Sequence, residues 1–558
     1  MTRLSGAHLL IATLKRAGVD RIFGLCGDHV NAIFNACLDQ GLSVIDTRHE
    51  SAATHMADAW ARVTGRPGVS VVTGGPGHTN SITGLATAWH VGSPILAISG
   101  QFSTQLRGKG ASQEMDQVGL IRGITKWAAE VTDPTQIPAT TARALQEAIS
   151  GRPGPVHLSI PVDVATAEVD QATIPDVQRL PPPPAKQADI RAAMDVLTRG
   201  ARPVLIAGSG VFWARAWDLL QRFVEMTFIP GFTVGAARGS LSDDHALGFG
   251  YADPLLNPTA EEIRRADVIL VLGKRIDFRL EYGGLFDPTA TLIQVDIHPA
   301  ELGRGREIQV PILADARDAL EQLLIEAGRH PWKELPWVHE LRQRRRMAGG
   351  QWEAEEHSEA TPMHPLRLIR EVRERLDPES IIAIDGGDFA QWARLGLPAR
   401  SPGHWLRLGP LGTVGAAIPF GIAAQLAKPA SRVVVLTGDG GFAMHGWEIH
   451  TALRHHAPII VVIGNDQGWG MERELQAAFY GRTIGTELGL VRYDKVVETL
   501  GGYGEYVERP SELGPALDRA FKAGRPACIN VLMRGVASAL TKANIERYTR
   551  GQTRNELT

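Results

Sequence analysis

Two acidic residues, one strand-and-helix unit apart, carry the strongest chemical pattern in the sequence. The apolar run VVVLT ends at Gly438-Asp439-Gly440-Gly441, and a helical pattern follows. Glycines there let a backbone approach a phosphate, and the amides of a helix start can donate to it. Asp439 stands where a carboxylate could hold a hard cation. A second apolar run, PIIVVIG, ends at Asn465-Asp466, with Gln467-Gly468 next. In a parallel sheet both acids would leave the carboxyl ends of neighbouring strands, where α/β proteins bind ligands. Two protein oxygens, a backbone carbonyl and phosphate oxygens make a sensible Mg²⁺ shell. A lone Gly-Asp-Gly is more often only a tight turn. The Asn-Asp pair behind a second apolar strand makes the cation the better reading.

Other chemistry-bearing residues lie far from this pair in sequence. Glu50 opens the helical pattern ESAATHMADAWARVTG, where the helix dipole alone would favour an acid. The glycine-rich turn VVTGGPGHTN carries Pro76, and His29 follows the strand-like run RIFGL. An imidazole can give or take a proton near neutral pH. Gln113 stands in the mixed loop SQEMDQ, and Gly412 and Val414 in GPLGTVGAAIPFG, a glycine-rich helix start. In the middle of the chain, Gly208 and Arg275 could reach a phosphate, and Asp296, after a strand, a ribose hydroxyl. No GxGxxG accompanies them, so this pattern is weak. Trp469, Met471 and Leu475 follow the second acidic motif and could line a pocket, although core packing explains them equally well.

The elements that must position these residues alternate helical patterns with short apolar runs closed by Gly or Pro. That rhythm predicts an α/β protein of three doubly wound parallel-sheet domains, over residues 1–165, 190–330 and 363–535. The proline run 181–184 reads as a stiff linker. Residues 331–362 read as a second linker, in which Arg342–Arg346 form a solvated basic face. Residues 536–558 form a polar tail with Lys542, Arg547, Arg550 and Arg554, either disordered or folded over a ligand. A formal net charge of -3 offers no basic field for nucleic acid. Three scattered cysteines are no disulfide framework, and the apolar runs are too short to span a bilayer, so a cytoplasmic enzyme is expected.

Taken together these motifs resemble the thiamine diphosphate enzymes, along nearly the whole chain and in family order: pyrimidine-binding, central and diphosphate-binding domains. The resemblance implies that Asp439, Asp466 and the Gly468 carbonyl ligate Mg²⁺. The Asp466 position is usually Asn in the family. It implies that Gly438, Gly440, Gly441, Gly412 and Pro76 contact the cofactor, and that Glu50 hydrogen-bonds its aminopyrimidine ring and so activates it. Val414 stands where relatives usually carry the Met that bends the cofactor. In this family the glutamate and the Gly-Asp-Gly turn come from different subunits, which implies a homodimer or homotetramer. His29 and Gln113 resemble active-site residues of benzaldehyde lyase and the acetolactate synthase group. The central domain of relatives often holds ADP or FAD. The segments IDTRHESAA, ITKWA and RPACINVLM, with the cationic tail, favour a 2-hydroxyacyl-CoA lyase, which reversibly yields formyl-CoA and an aldehyde or ketone. The alternatives are a CoA-independent lyase or carboligase, an acetolactate synthase or a 2-oxoacid decarboxylase. A non-catalytic nucleotide-binding subunit is the reading from another class.

Overall fold

A computed structural model describes residues 3–170 and 173–549, with only the backbone of Tyr548 and Thr549. The apolar runs form strands, and further short strands complete the sheets beside them. β1 (Arg21–Gly24), β2 (Ser43–Asp46), β3 (Gly68–Val72), β4 (Ile95–Gln101), β5 (Trp127–Glu130) and β6 (Val156–Pro161) form one parallel sheet. β7 (Pro203–Ala207), β8 (Gly231–Thr233), β9 (Gly248–Tyr251), β10 (Val268–Leu272), β11 (Thr291–Asp296) and β12 (Val310–Leu313) form the second. β13 (Ile381–Ile384), β14 (Trp405–Arg407), β15 (Val433–Gly438), β16 (Ile460–Asn465), β17 (Tyr503–Val507) and β18 (Ala527–Leu532) form the third. The inner strands are buried along their length, which is why they read as unbroken Val/Ile/Leu runs rather than alternating ones.

The first sheet has the order β2-β1-β3-β4-β6-β5 and the third β14-β13-β15-β16-β18-β17. These are the same topology, so the similar lengths of the outer segments reflect a repeated fold. The central sheet has the order β9-β8-β7-β10-β11-β12, that of dinucleotide-binding proteins, with its switch point between β7 and β10. The helices that bear on the site are α1 (Glu50–Thr64), α2 (Pro76–Val91), α3 (Gly387–Gly396), α4 (Ala417–Ala427), α5 (Asp439–His445), α6 (Gly470–Tyr480) and α7 (Ala539–Thr549). Among the described residues no helix is long and apolar enough to cross a membrane.

The chain forms two compact units. The first holds residues up to Pro181 together with Leu408–Ala430 and Met444–Ile459; the second holds Pro182–Arg407, Ser431–Ala443 and the chain from Ile460 onward. In the first unit α1 is buried from Glu50 to Arg62 and packs against α4, itself nearly all buried. Small residues, Ala52, Ala53, Ala57 and Ala59, permit that approach. Phe420 of α4 meets the His55 ring edge-on at 5.7 Å and lies under the Arg62 guanidinium at 4.8 Å. Arg62 forms a buried ion pair with Asp58, its Nε 2.8 Å from Oδ1. Each charge is admitted to the interior by the other. The second unit carries two hydrophobic cores, one under the central sheet and one under the third. The basic run is less solvated than its composition suggests: Arg342 pairs with Glu334, and Arg345 donates to the carbonyls of His245 and Gly248.

Candidate active site

Glu50 takes the first position of α1, behind an extended His49 whose Nδ1 accepts the Ser51 N–H. Most helix-start acids face water, but this one is 9% exposed. Asn80 of α2 donates from Nδ2 to Glu50 Oε2 at 3.0 Å. β3 runs into the turn Thr73-Gly74-Gly75-Pro76, and this turn gathers the other residues. His29 Nδ1 lies 3.0 Å from Thr73 Oγ1. A Cβ on Gly74 would come 3.4 Å from His29 Nδ1, and one on Gly77 3.5 Å from Glu50 Oε1. Gly75 has φ +59°, and a Cβ there would fall 2.6 Å from that of Gln113. Glu50, His29, Gln113 and Pro76 therefore surround a single turn within the first unit. Gln113 itself sits at φ +63°, a conformation that costs a non-glycine residue about 1 kcal/mol or more. Burial lowers the pKa of His29 against the opposing charge of Asp28, so its imidazole is neutral at pH 7. In the same unit the loop carrying Gly412 and Val414 is tied to α2 by Thr413 Oγ1, 2.9 Å from Thr87 Oγ1. Gly412 is exposed at φ +77°, and Val414 is half-buried.

In the second unit β15 and β16 lie side by side with Gly438 opposite Gly464. Asp439 and Asn465-Asp466 therefore leave the sheet from adjacent tips. Asp439 is 1% exposed, and its Oδ2 is buried with no hydrogen-bond partner. The nearby amides of Gly440 and Gly468 favour its charged form. Burial, with the neighbouring charge of Asp466, pushes Asp439 up to about 7. Burial pushes Asp466 up to about 6, with Arg473 opposing the rise and Asp388 adding to it. Two buried carboxylates that disfavour each other's charge are what a divalent cation would relieve. Among the described residues no three His, Cys, Asp or Glu side chains gather as a metal shell. Such an ion therefore needs ligands from outside the side chains, which a diphosphate would supply. Room exists for it: a Cβ on Gly438 would meet only the Gly464 carbonyl oxygen, at 4.0 Å.

Several residues at this site escaped the sequence reading. Arg473 Nη2 donates to Asp466 Oδ2 at 2.8 Å, and its Nη1 lies 3.5 Å from Glu487. Thus the charge that Asp466 adds, relative to the usual Asn, is met by a guanidinium seven residues on. A Cβ on Gly470 would fall 2.4 Å from Asp466 Oδ2, and one on Gly535 2.3 Å from Arg473 Nη2, so glycines make space for the pair. Asn465 accepts the Gln467 N–H at 3.1 Å and donates to Asn530 at 3.0 Å, which shapes the loop behind Asp466. Thr437 Oγ1 donates to Asp385 Oδ2 at 2.9 Å, and a Cβ on Gly441 would come 2.6 Å from that hydroxyl. The one available clue was positional: Asp385 and Thr437 end apolar runs, as Asp439 nearly does.

Of the suggested pocket residues, Trp469 covers the Gly-Asp-Gly turn: a Cβ on Gly440 would lie 2.6 Å from its ring. Met471 and Leu475 are half-buried on α6, which has no fully buried residue and packs against α7. Of the two readings left open for the polar tail, disorder does not hold over residues 536–549: the chain runs into α7. Asp388 Oδ1 accepts from Ser538 N and Thr541 Oγ1, and Trp392 Nε1 donates to the Val536 carbonyl. Arg550 and Arg554 lie outside the described residues. In the central sheet Gly208 follows β7, Arg275 lies past β10 and Asp296 ends β11, all at the carboxyl edge. Asp296 accepts the His298 N–H at 2.9 Å, and Arg275 lies 3.9 Å from Glu301.

Sequence comparisons agree with this geometry. The profile described as "Thiamine pyrophosphate enzyme, N-terminal TPP binding domain" matches residues 4–120. The corresponding central domain matches 190–323 and the C-terminal TPP binding domain 385–531. The chain belongs to the thiamine pyrophosphate enzyme family. It is 36% identical over 534 residues to the acetolactate synthase large subunit of Mycobacterium tuberculosis, covering 95% of this chain and 96% of the relative. It is 33% identical over 552 residues to an acetolactate synthase large subunit of Corynebacterium glutamicum, with coverages of 95% and 87%. It is 31% identical over 579 residues to 2-hydroxyacyl-CoA lyase 2 of Homo sapiens, with coverages of 95% and 90%. It is a thiamine-diphosphate-dependent enzyme.

Proposed function

We propose that this enzyme is a carboligase of the acetolactate synthase kind. It joins the acyl fragment of a 2-oxoacid, after loss of carbon dioxide, to the carbonyl carbon of a second oxo compound. The observation that carries the reading is the similarity to acetolactate synthase large subunits along 95% of the chain. It displaces the CoA lyase from first place, because the acetolactate synthase relatives are 36% and 33% identical and the 2-hydroxyacyl-CoA lyase relative 31%.

When bound, thiamine diphosphate supplies a carbanion-stabilising centre next to the substrate carbonyl. Asp439, Asp466 and the Gly468 carbonyl would hold Mg²⁺, and the open Gly438–Gly441 turn would take the diphosphate. Glu50, whose carboxylate accepts from Asn80, would hydrogen-bond the aminopyrimidine ring. His29 is neutral and anchored through Nδ1 to Thr73, so Nε2 can take or give a substrate proton. Gln113, held against Gly75, orients a substrate oxygen. The active protein is a homodimer or homotetramer with its centres between subunits.

The test is an assay of purified protein with thiamine diphosphate and Mg²⁺ against pyruvate, free benzoin and a panel of 2-hydroxyacyl-CoA thioesters. Acetolactate formation is the expected result; formyl-CoA release without acetolactate would overturn the reading. Glu50→Gln should abolish turnover while calorimetry still detects cofactor binding. A 2-hydroxyacyl-CoA lyase stands second, favoured by the human relative. It would show as loss of thioester activity, with benzoin activity retained, on deletion of residues 536–558.

A further inference from the structure

A second charged site lies in the second unit, built from residues that none of the assignments above uses. Tyr251 ends β9 and is 5% exposed. The guanidinium carbons of Arg394, from α3, and Arg238 lie 4.8 Å and 5.0 Å from its ring centre. Arg279 and Arg407 add their positive charges around the same phenol. Arg407 ends β14 opposite Ile384, the last residue of β13, so the cluster sits at the carboxyl edge of the third sheet. That is the edge at which such sheets meet their ligands.

Within this cluster Arg394 is hydrogen-bonded to no acid. Arg238 is bonded to Asp243 through both terminal nitrogens, and Arg279 Nη1 lies 3.3 Å from Asp253 Oδ2. Arg394 is only 2% exposed and has a neutral partner, Gln391, whose Oε1 accepts from Nη1 at 2.6 Å. Its Nε and Nη2 are buried with no hydrogen-bond partner. These two nitrogens form one edge of the guanidinium, the fork that matches both oxygens of a carboxylate or phosphate. Buried N–H groups of a cation are costly to leave unmet, more so beside a like charge such as Arg407.

We propose that Arg394, with Arg407 and the Tyr251 hydroxyl beside it, forms a receptor for an oxyanion: a carboxylate or phosphate group carried by a substrate or effector. The receptor does not depend on which reaction the enzyme runs. Tyr251 offers the competing source of negative charge. Burial would raise its pKa, but Arg394, Arg279 and Arg407 outweigh burial and Asp253 and bring it down to about 7.

The experiment is calorimetric titration of the full-length protein with pyruvate, inorganic phosphate and ADP at constant ionic strength. It uses wild type, Arg394→Met, Arg394→Lys and Arg407→Met. At least one anion should bind wild type and lose about tenfold or more in affinity in Arg394→Met, as expected for a lost hydrogen bond to a charged group. Arg394→Lys keeps the charge but not the fork; it should also bind more weakly, and it covers the case in which the Met variant does not fold. Binding of pyruvate, of phosphate or of ADP alone identifies the source of the oxyanion. In wild type the bound anion should also reduce phenolate absorbance near 295 nm at pH 8, an effect absent in Tyr251→Phe. The proposal falls if no anion binds, or if affinity is the same in every Arg394 variant. A phenolate band that no anion perturbs would also sink it, because Tyr251 itself would then be the counter-charge.

Discussion

Breaking the Asp466–Arg473 pair should weaken the protein most when no divalent cation is present. The two side chains are 10% and 21% exposed, and the bond is 2.8 Å. Arg473→Met leaves a largely buried carboxylate beside that of Asp439, with only water at its rim. The pair is partly hydrated, so the cost falls below that of a fully buried pair, at about 2–3 kcal/mol. For a unit of this size, with an unfolding entropy of about 2.1 cal/mol/K per residue, that corresponds to a drop of roughly 3–4 °C in calorimetric Tm. Asp466→Asn should cost only about 1 kcal/mol, because Arg473 keeps Glu487 and solvent. The double variant should cost little more than Asp466→Asn alone, giving a coupling of about 1.5–2 kcal/mol. Adding Mg²⁺ with thiamine diphosphate should restore more of the Tm in Arg473→Met than it adds to wild type, since the cation meets the charge that the arginine left. Additive single variants, or a Mg²⁺ response equal in Arg473→Met and wild type, would refute the reasoning.

Other outcomes follow from the same geometry. Glu448 caps the start of the helical region around α1, accepting from the Arg48 and His49 amides and Thr451 Oγ1, and burial pushes its pKa from 4.5 up to about 7. Its folded-state pKa is the higher one, so its contribution to stability is present below pH 4.5 and lost as pH rises to about 7. Glu448→Gln should therefore gain up to about 3 kcal/mol on wild type between pH 4.5 and 8, read from Tm against pH. Gly441→Ala would place a Cβ 2.6 Å from Thr437 Oγ1; it should weaken calorimetric cofactor affinity and separate Thr437 from Asp385, with the fold intact by circular dichroism. Asp58→Asn strands Arg62 inside the α1–α4 contact and should cost about 3 kcal/mol or more in thermal unfolding.

The residues that announce themselves in the sequence are those tied to local features. Asp439 and Asp466 are legible because each follows an apolar run and a parallel strand ends where its apolar run ends. The strand runs themselves predict three parallel sheets, since burial on both faces leaves no room for alternation. Glu50 reads as a helix start because α1 is small-residue-rich and uninterrupted. What the sequence cannot carry is proximity between residues that are distant along the chain. Nothing near Asp466 says that Arg473 turns back onto it, or that Gly535, more than sixty residues on, keeps the space for both. His29, Gln113 and Glu50 become one cluster only because three separate segments meet the turn after β3. Arg394 and Arg407 are ordinary charges in sequence, a helix arginine and a strand-end arginine. Their significance is decided by packing: burial removes the water that would have solvated Arg394, and its guanidinium edge left without solvent or acceptor is a fact of tertiary structure alone.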